Sequence, residues 1–177
     1  MLLEKKVINQ ISHKKTGTTI VGCKFDGGVV LAADTRATGG SIVVEKNCEK
    51  IHYVAPNIYC CGAGTAADTQ FVNLFMSSNL ELQRLNSGRQ TRVSSYVTST
   101  SKLLYRYQGQ LGAHLIVGGY DILGPHLCMI SGAEAISAGI YHDLGSGSHV
   151  DYCVLTKDKT EMFRNAVTND KLHKMNL

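Results

Sequence analysis

A basic, polar leader meets a β-branched run in the stretch Lys14-Lys15-Thr16-Gly17-Thr18-Thr19-Ile20-Val21-Gly22. Gly17 supplies a peptide bond with little steric cover and unusual backbone freedom. Cutting the bond between Gly17 and Thr18 would place a hydroxyl and a primary amine on Thr18, and a free amine is a base that can activate a hydroxyl. On its own, however, the stretch favours a simpler interpretation, in which Thr18 merely begins a β-strand.

The overall composition predicts a single globular domain behind this leader. The chain has 177 residues, of which 44% are hydrophobic, enough to bury a sizeable core. Its formal net charge is +4, but residues 1–17 hold four lysines against one glutamate, so residues 18–177 carry only +1. We therefore expect a leader over 1–17 and one domain over 18–177, without the basic surface that binding of nucleic acid requires.

Apolar runs and cysteines bear on the location of the chain. No run is long enough for a secretory signal or a bilayer span, so neither secretion nor a membrane partner is expected. The six cysteines lack C-x-x-C spacing, which favours buried free thiols over zinc ligands or a disulfide scaffold. Free thiols fit a reducing compartment, so we expect the protein in the cytoplasm and nucleus.

A β-hairpin is predicted directly after the leader. Two β-branched runs, 18–25 and 29–34, flank the turn signal Asp26-Gly27-Gly28. A three-residue connection would place Asp34 on the same strand face as Thr18, whereas a two-residue turn would place it on the opposite face. In either register the second strand returns Asp34 to the neighbourhood of Thr18.

Two long helices are predicted by apolar residues at helical spacing. The first covers 66–85, where Thr65 is a suitable N-cap and Asp68 would complete an acidic variant of the capping box. The second covers 92–107. The residues expected on the buried faces are Ala67, Phe71, Leu74, Phe75, Leu82 and Leu85 in the first helix, and Val93, Tyr96, Val97, Leu104 and Tyr107 in the second.

Short apolar runs predict the remaining strands, and a short helix is predicted at 133–141. From Asn165 onward the polar tail is expected to fray. This order of elements indicates an α+β fold with helices outside antiparallel sheets. The strands are expected at 41–44, 51–54, 57–61, 113–118, 126–130, 149–155 and 160–164.

Two further features are ambiguous when each is taken alone. Lys50 stands at the start of a predicted strand, where a lysine is usually solvated. Gly62-Ala63-Gly64 leads from a strand into the first long helix, where backbone N–H groups can cradle a phosphate or an oxyanion. A nucleotide loop is poorly supported, because no Lys-Ser or Lys-Thr follows the glycines.

Taken together, these segments closely resemble the catalytic β-type subunits of the proteasome core particle, and among them the trypsin-like class. The resemblance covers roughly residues 14–155 in the order that this family has. It rests on Thr16-Gly17-Thr18-Thr19-Ile20, Ala32-Ala33-Asp34-Thr35-Arg36-Ala37-Thr38, Lys46-Asn47-Cys48, Lys50-Ile51-His52, Cys60-Cys61-Gly62-Ala63-Gly64-Thr65-Ala66-Ala67-Asp68, Tyr107-Gln108-Gly109 and Asp143-Leu144-Gly145-Ser146-Gly147-Ser148.

The resemblance implies an N-terminal-nucleophile hydrolase with a four-layer αββα sandwich. The Gly17–Thr18 bond would be cut autocatalytically, and the hydroxyl of Thr18 would then attack peptide carbonyls. The other implied catalytic residues are Lys50, which activates the hydroxyl, Asp34, which holds Lys50 charged, Gly64, whose N–H stabilises the oxyanion, and Asp143 and Ser146, which hydrogen-bond around the Thr18 amine.

The resemblance also implies how a substrate and partners are bound. The implied substrate-binding residues are Thr38, Cys48, Gly62, Ala66 and Gln70. The implied partners are other α- and β-type subunits in a stacked-ring complex, and the substrates are unfolded polypeptides of ubiquitin-dependent degradation, cut preferentially after basic residues. No metal and no cofactor are implied.

This sequence departs from the family pattern in three places. Between Ile130 and Ser131 it lacks a Gly-Ser-Gly-Ser loop, two strands and much of a helix, so the implied sandwich is incomplete. Gln70 stands where this class carries an acidic residue, and the family's C-terminal segment is not recognisable after Asn165.

Two functions therefore stand side by side: a threonine endopeptidase, and a non-catalytic or defective subunit that lacks part of the active-site support. A serine or cysteine hydrolase is less favoured, because no histidine is convincingly spaced with a nucleophile.

Overall fold

The computed structural model of the protein describes residues 17–39, 42–131 and 149–168. Within these ranges strands are followed by two helices and then by further strands, as predicted. The elements are β1 (Ile20–Phe25), β2 (Gly28–Asp34), β3 (Ala37–Gly39), β4 (Ile42–Glu45), β5 (Ile51–Ala55), β6 (Ile58–Gly64), α1 (Ala66–Ser87), α2 (Val93–Arg106), β7 (Ala113–Asp121), β8 (Gly124–Ser131), β9 (His149–Thr156) and β10 (Thr160–Thr168).

The first sheet has the order β1-β2-β9-β10, with every neighbouring pair antiparallel. Its first hairpin turns over two residues, since Phe25 pairs with Gly28 and Gly27 has a φ of +98° that favours glycine. Of the two registers that the sequence allows, the protein therefore adopts the two-residue turn. The Asp34 N–H donates to the carbonyl of Thr19 at 3.1 Å, so β2 does end beside the start of β1.

The second sheet has the order β5-β6-β7-β8 and is also antiparallel, while β3 and β4 form a separate hairpin. The adjacent cysteines of β6 show how its two faces are used. Cys60 and Cys61 are both fully buried, but Cys60 packs in the cluster beneath the helices and Cys61 in the cluster between the sheets. The expected buried thiols are thus confirmed for these residues and Cys153, whereas Cys23 is exposed.

The core between the two sheets is made by alternating apolar residues that point inward. β1 approaches the second sheet closely, because a Cβ on Gly22 would lie 2.6 Å from the side chain of Leu127. The buried members of this core are Val29, Leu31, Ala33, Ile51, Cys61, Cys153 and Leu155.

The second core lies between the outer face of the second sheet and the helices, and here the sequence prediction for α1 was wrong. The residues that α1 buries are Thr69, Val72, Asn73, Met76 and Leu80. Polar Asn73 can turn inward because its side-chain oxygen accepts a hydrogen bond from the buried Tyr96 hydroxyl at 3.1 Å. The predicted face is instead largely exposed, with Phe71, Leu74, Phe75, Leu82 and Leu85 between 42% and 66% accessible.

The prediction for α2 was mostly right. Val93, Tyr96 and Leu104 are buried, and Val97 packs against the same core. Tyr107 was wrongly placed inward: it is 37% exposed and meets the exposed Phe71 edge to face. The two helices therefore continue their contact on the outside of the molecule.

Two local predictions also need correction. Thr65 is the N-cap residue of α1, but its side chain makes no cap hydrogen bond, and Asp68 accepts the N–H of Gly112 at 2.9 Å instead of closing a capping box. The chain after Asn165 was expected to fray, yet β10 continues to Thr168.

The predicted α+β class is confirmed, with helices, second sheet and first sheet forming three successive layers in the described part of the chain. Among these residues no helix packs on the outer face of the first sheet. The predicted helix at 133–141 lies outside the described residues. Neither described helix is long and apolar enough to cross a membrane.

Candidate active site

The ammonium group of Lys50 is the centre of the candidate site. Lys50 directly precedes β5 and is only 7% exposed, so the expectation of a solvated lysine does not hold. Its Nζ donates to Asp34 Oδ1 at 2.8 Å, to the carbonyl of Arg36 at 2.7 Å and to Thr18 Oγ1 at 3.2 Å. An ammonium has three N–H donors, so all of them are used.

Asp34 supplies the charge that makes burial of Lys50 possible. It is 7% exposed, and its carboxylate accepts the N–H of Thr19 at 2.9 Å and the N–H of Arg36 at 3.2 Å besides the lysine. A buried ion pair is tolerated only when further hydrogen bonds satisfy its remaining atoms, and both partners meet that condition here. The pair is therefore a buried salt bridge whose two side chains are both hydrogen-bonded to further groups.

The hydroxyl of Thr18 lies between Lys50 and the peptide bond that precedes it. Thr18 Oγ1 donates to the carbonyl of Gly17 at 2.7 Å and accepts from Lys50 Nζ. With Lys50 Nζ 3.2 Å from Thr18 Oγ1, a positive charge on this nitrogen would stabilise an alkoxide at the threonine. Thr18, Asp34 and Lys50 are thus brought together as the sequence predicted.

An open cleft of about 450 Å³ extends from Thr18, past the start of β3 and the start of β5, to the end of β6 and the first turn of α1. It contains four of the five residues predicted to bind substrate. The fifth, Thr38, lies half-buried in β3 next to the cleft residue Ala37, but does not itself line the cleft. The lining residues are Thr18, Arg36, Ala37, Cys48, Glu49, Lys50, His52, Gly62, Gly64, Ala66, Thr69 and Gln70.

Two glycines shape the wall where β6 leads into α1. Gly64 has a φ of +106°, and a Cβ there would lie 2.2 Å from the carbonyl oxygen of Gly112, so only glycine fits. A Cβ on Gly62 would lie 3.0 Å from the side chain of Thr69 and would fill cleft space. The wall therefore depends on the absence of both side chains.

A cysteine and a histidine side chain of the cleft both have pKa values shifted towards their uncharged forms. Burial, assisted by Glu45, raises the pKa of the Cys48 thiol, so little thiolate exists near neutral pH. Burial also lowers the pKa of His52, which keeps this imidazole uncharged at neutral pH. Glu49 is then the acidic residue among those that line the cleft.

Thr35 is a functional support that the sequence interpretation missed. It is fully buried, its hydroxyl donates to the carbonyl of Lys46 at 2.9 Å, and its own carbonyl accepts the N–H of Cys48 at 2.9 Å. The N–H of His149 in turn donates to the Thr35 hydroxyl at 3.1 Å. The signal was its position beside Asp34, although strand alternation alone does not reveal a hydroxyl with two distant partners.

The remaining predicted residues lie outside the described part of the chain. Asp143 and Ser146 belong to this group, so their predicted contacts with the Thr18 amine stay predictions. In the residues that are described, no cluster of histidine, cysteine, aspartate or glutamate side chains is suited to hold a metal ion.

Known proteins with similar sequences identify the family of this arrangement. The family described as Proteasome subunit matches residues 14–174. Proteasome subunit beta type-7-B of Arabidopsis thaliana is 48% identical over 204 residues, which cover 93% of this chain and 74% of the relative. Proteasome subunit beta type-7 of Dictyostelium discoideum is 45% identical, covering 94% and 78%, and beta type-10 of Bos taurus is 43% identical, covering 85% and 70%.

We predict that the buried pair of Asp34 and Lys50 is energetically coupled. Asp34→Asn strands a buried ammonium and should lower the free energy of unfolding by about 3–5 kcal/mol. The double variant Asp34→Asn/Lys50→Met removes both charges. Its loss in free energy of unfolding should be smaller, by roughly 1–3 kcal/mol, than the sum of the losses from Asp34→Asn and Lys50→Met alone. Urea denaturation of the purified chain measures all three.

The surface pair Glu81–Arg84, whose side chains are 48% and 40% exposed, provides the matched control. Solvent screens such a pair, so Glu81→Gln should change stability little. A loss from Asp34→Asn no larger than that from Glu81→Gln would contradict the assignment of a buried, mutually dependent pair.

Proposed function

This chain belongs to the proteasome subunit family, with relatives of the β type, and we propose that it is a threonine endopeptidase of the core particle. Proteasome β subunits are in general N-terminal-nucleophile hydrolases. The observation that carries the proposal is the position of the Thr18 hydroxyl, in contact with both the Gly17 carbonyl and the Lys50 ammonium. We further propose that its substrates are unfolded polypeptides of ubiquitin-dependent degradation.

The first step in this proposal is removal of residues 1–17. Thr18 Oγ attacks the carbonyl carbon of Gly17, and the C–N bond to Thr18 breaks as the hydroxyl proton passes to the Thr18 nitrogen. Water then hydrolyses the resulting ester, leaving a carboxylate on Gly17 and a free amine on Thr18. The hydrogen bond of 2.7 Å from Thr18 Oγ1 to the Gly17 carbonyl oxygen supports this step, because it keeps the hydroxyl beside the carbonyl group that it attacks.

The second step uses the same hydroxyl on a substrate peptide. The freed Thr18 amine takes the proton of the hydroxyl, and the positive charge of Lys50 stabilises the developing alkoxide. Gly64 is proposed to stabilise the oxyanion, and Asp143 and Ser146 to orient the amine. The substrate backbone is proposed to pass along Thr38 and Ala66 as an added strand.

Preference for basic residues is the finer part of the proposal. Gly62 keeps the cleft open for a long side chain, while Cys48 and Gln70 line it. Gln70 is neutral, but Glu49 places an acidic residue in the same cleft. We therefore propose a weak preference for arginine and lysine.

The partners and the location are proposed from the family and the surface. Exposed apolar residues on α1 and on the hairpin β3–β4, where Ile42 and Val44 are 69% and 73% accessible, suit contacts with other α- and β-type subunits. The free thiols of the described residues fit a location in the cytoplasm and nucleus. Co-sedimentation with core particles and cell fractionation test these two points.

A non-catalytic subunit is the second candidate, and one observation favours it. The alignment with the Arabidopsis relative runs over 204 positions, more than the 177 residues of this chain, so the relative has internal residues that this chain lacks. Support lost with such a segment would leave Thr18 intact but unable to react.

Self-cleavage separates the two candidates. We predict that the purified chain yields a species that begins at Thr18, and that Thr18→Ala abolishes it because no hydroxyl remains to attack Gly17. Thr98→Ala, which alters an exposed threonine of α2, should be cleaved like the unaltered chain. Intact-mass measurement follows all three.

Persistence of residues 1–17 in chains incorporated into core particles would contradict the catalytic function and favour the non-catalytic one. Thr18→Ser retains a hydroxyl at this position and is expected to cleave, which guards against a purely structural effect of the alanine variant.

Cleft charge is tested by Gln70→Glu. A second carboxylate in the cleft should raise the ratio of turnover between an arginyl and a leucyl fluorogenic peptide by about tenfold, equivalent to roughly 1.4 kcal/mol. Gln83→Glu introduces the same change at an exposed position of the same helix and should leave the ratio unaltered. Equal effects of both variants would mean that Gln70 does not face the bound side chain.

A further inference from the structure

The segment that precedes Lys50 is held by tertiary contacts alone. Residues 46–49, here called the 46–49 segment, lie between β4 and β5 without regular secondary structure. Two of its members, Cys48 and Glu49, line the cleft. The position of this segment therefore fixes both the cleft wall and the start of the strand that Lys50 precedes.

Thr35 fastens one side of the segment. Its hydroxyl and carbonyl bind the backbone of Lys46 and Cys48, as described above. These bonds reach the first and third residues of the segment and leave its second and fourth, Asn47 and Glu49, to other partners.

Arg164 of β10 fastens the other side. Its Nη2 donates to the carbonyl of Asn47 at 3.1 Å and to the side-chain oxygen of Asn47 at 3.2 Å, while its Nη1 lies 2.8 Å from Glu49 Oε2. A planar guanidinium can serve several acceptors at once in a fixed fork, which an ammonium cannot. One side chain therefore spans two residues of the segment.

Asp151 anchors Arg164 from the interior. Asp151 is 1% exposed, and its Oδ2 lies 2.9 Å from Arg164 Nε. It lies on β9 opposite Ala33, the residue before Asp34, so the anchor belongs to the same sheet as Asp34. A buried carboxylate requires a charged or hydrogen-bonding partner, and the guanidinium and the N–H of Asn165 supply it.

The backbone of β10 is irregular where Arg164 leaves it. Phe163 pairs with Tyr152 and Val167 with Val150, so four steps along β10 face two along β9. Within this bulge Asn165 has a φ of +51°, in the left-handed region, and its N–H donates to Asp151 Oδ1 at 2.8 Å. Bulges redirect side chains at the edge of a sheet, and here the one redirected is Arg164.

We propose that Arg164 is a positioning residue of the active site, which acts by clamping the 46–49 segment against Asp151 of β9. The clamp keeps Lys50 within reach of Thr18 and keeps Cys48 and Glu49 in the cleft wall. Its effect on reaction rate rests on the proposed function, but its effect on the segment does not.

Arg164→Lys and Arg164→Met test the clamp. Lysine keeps the charge of Arg164 but not its planar set of donors, and methionine keeps neither. Both variants should therefore self-cleave at Gly17–Thr18 about tenfold to a hundredfold more slowly, because small displacements of catalytic groups have effects of this size. The control is Lys159→Met, which removes an exposed ion pair with Glu161 on the same strand and should self-cleave normally.

Cys48 offers a readout that does not depend on activity. Iodoacetamide labelling, quantified at each cysteine by mass spectrometry, should be several-fold faster at Cys48 in Arg164→Lys, while Cys60, Cys61 and Cys153 stay protected. Faster labelling of all four together would indicate global loosening and would overturn a local clamp. Because the lysine variant retains the charge near Cys48, the change in labelling reports movement of the segment.

The two proposals fail in different ways. If the unaltered chain does not self-cleave, the proposed function fails, and the labelling of Cys48 alone decides on the clamp. If Arg164→Lys matches the unaltered chain in cleavage rate and in labelling, the clamp is wrong whatever the activity. If both Arg164 variants fail to fold, Glu49→Gln provides a milder test, because it removes only the exposed ion pair between Arg164 and Glu49. Labelling of Cys48 should then rise, but less than in Arg164→Lys. Unchanged labelling of Cys48 in Glu49→Gln would count against the clamp.

Discussion

A buried ammonium with three acceptors is the constraint on which this molecule depends. Inside the protein, Asp34, the Arg36 carbonyl and the Thr18 hydroxyl accept the hydrogen bonds of Lys50. Removing water from a charge is costly, and well-placed acceptors offset the cost. The same geometry that satisfies Lys50 also places its ammonium against the Thr18 hydroxyl, so the stability of the pair and the proposed reactivity depend on one arrangement.

The fold assembles this arrangement from distant parts of the chain. The first hairpin returns Asp34 to Thr18, and the second sheet presents Lys50 and the glycines of the cleft wall. From β10, Arg164 contacts Asn47 and Glu49, which precede Lys50. Only glycine fits at Gly64, because the carbonyl oxygen of Gly112 occupies the space that a Cβ would need. Each sheet therefore contributes a different part of the site.

The meeting of Lys50 with Thr18 and Asp34 was implied by the family resemblance, since the local pattern around Lys50 is that of a solvated lysine. Local patterns predicted the class of fold, both helices and the return of Asp34 to Thr18, because hairpin and helix signals are short-range. They failed for the buried face of α1, where two apolar stripes compete. Phe71 and Leu82 belong to one stripe and Val72 and Leu80 to the other, and only packing against α2 and the sheet selects between them. The roles of Thr35 and Arg164 were likewise invisible, since their partners lie far away in sequence.

The most direct measurement is the site of covalent capture by an electrophilic peptide, mapped by mass spectrometry on the full chain. Thr18 and Cys48 both line the cleft, so each competes for the same reagent. With the Cys48 thiol held protonated by its burial and Lys50 beside the threonine hydroxyl, the adduct is expected on Thr18. Capture on Cys48, or on no residue of the cleft, would contradict Thr18 as the nucleophile.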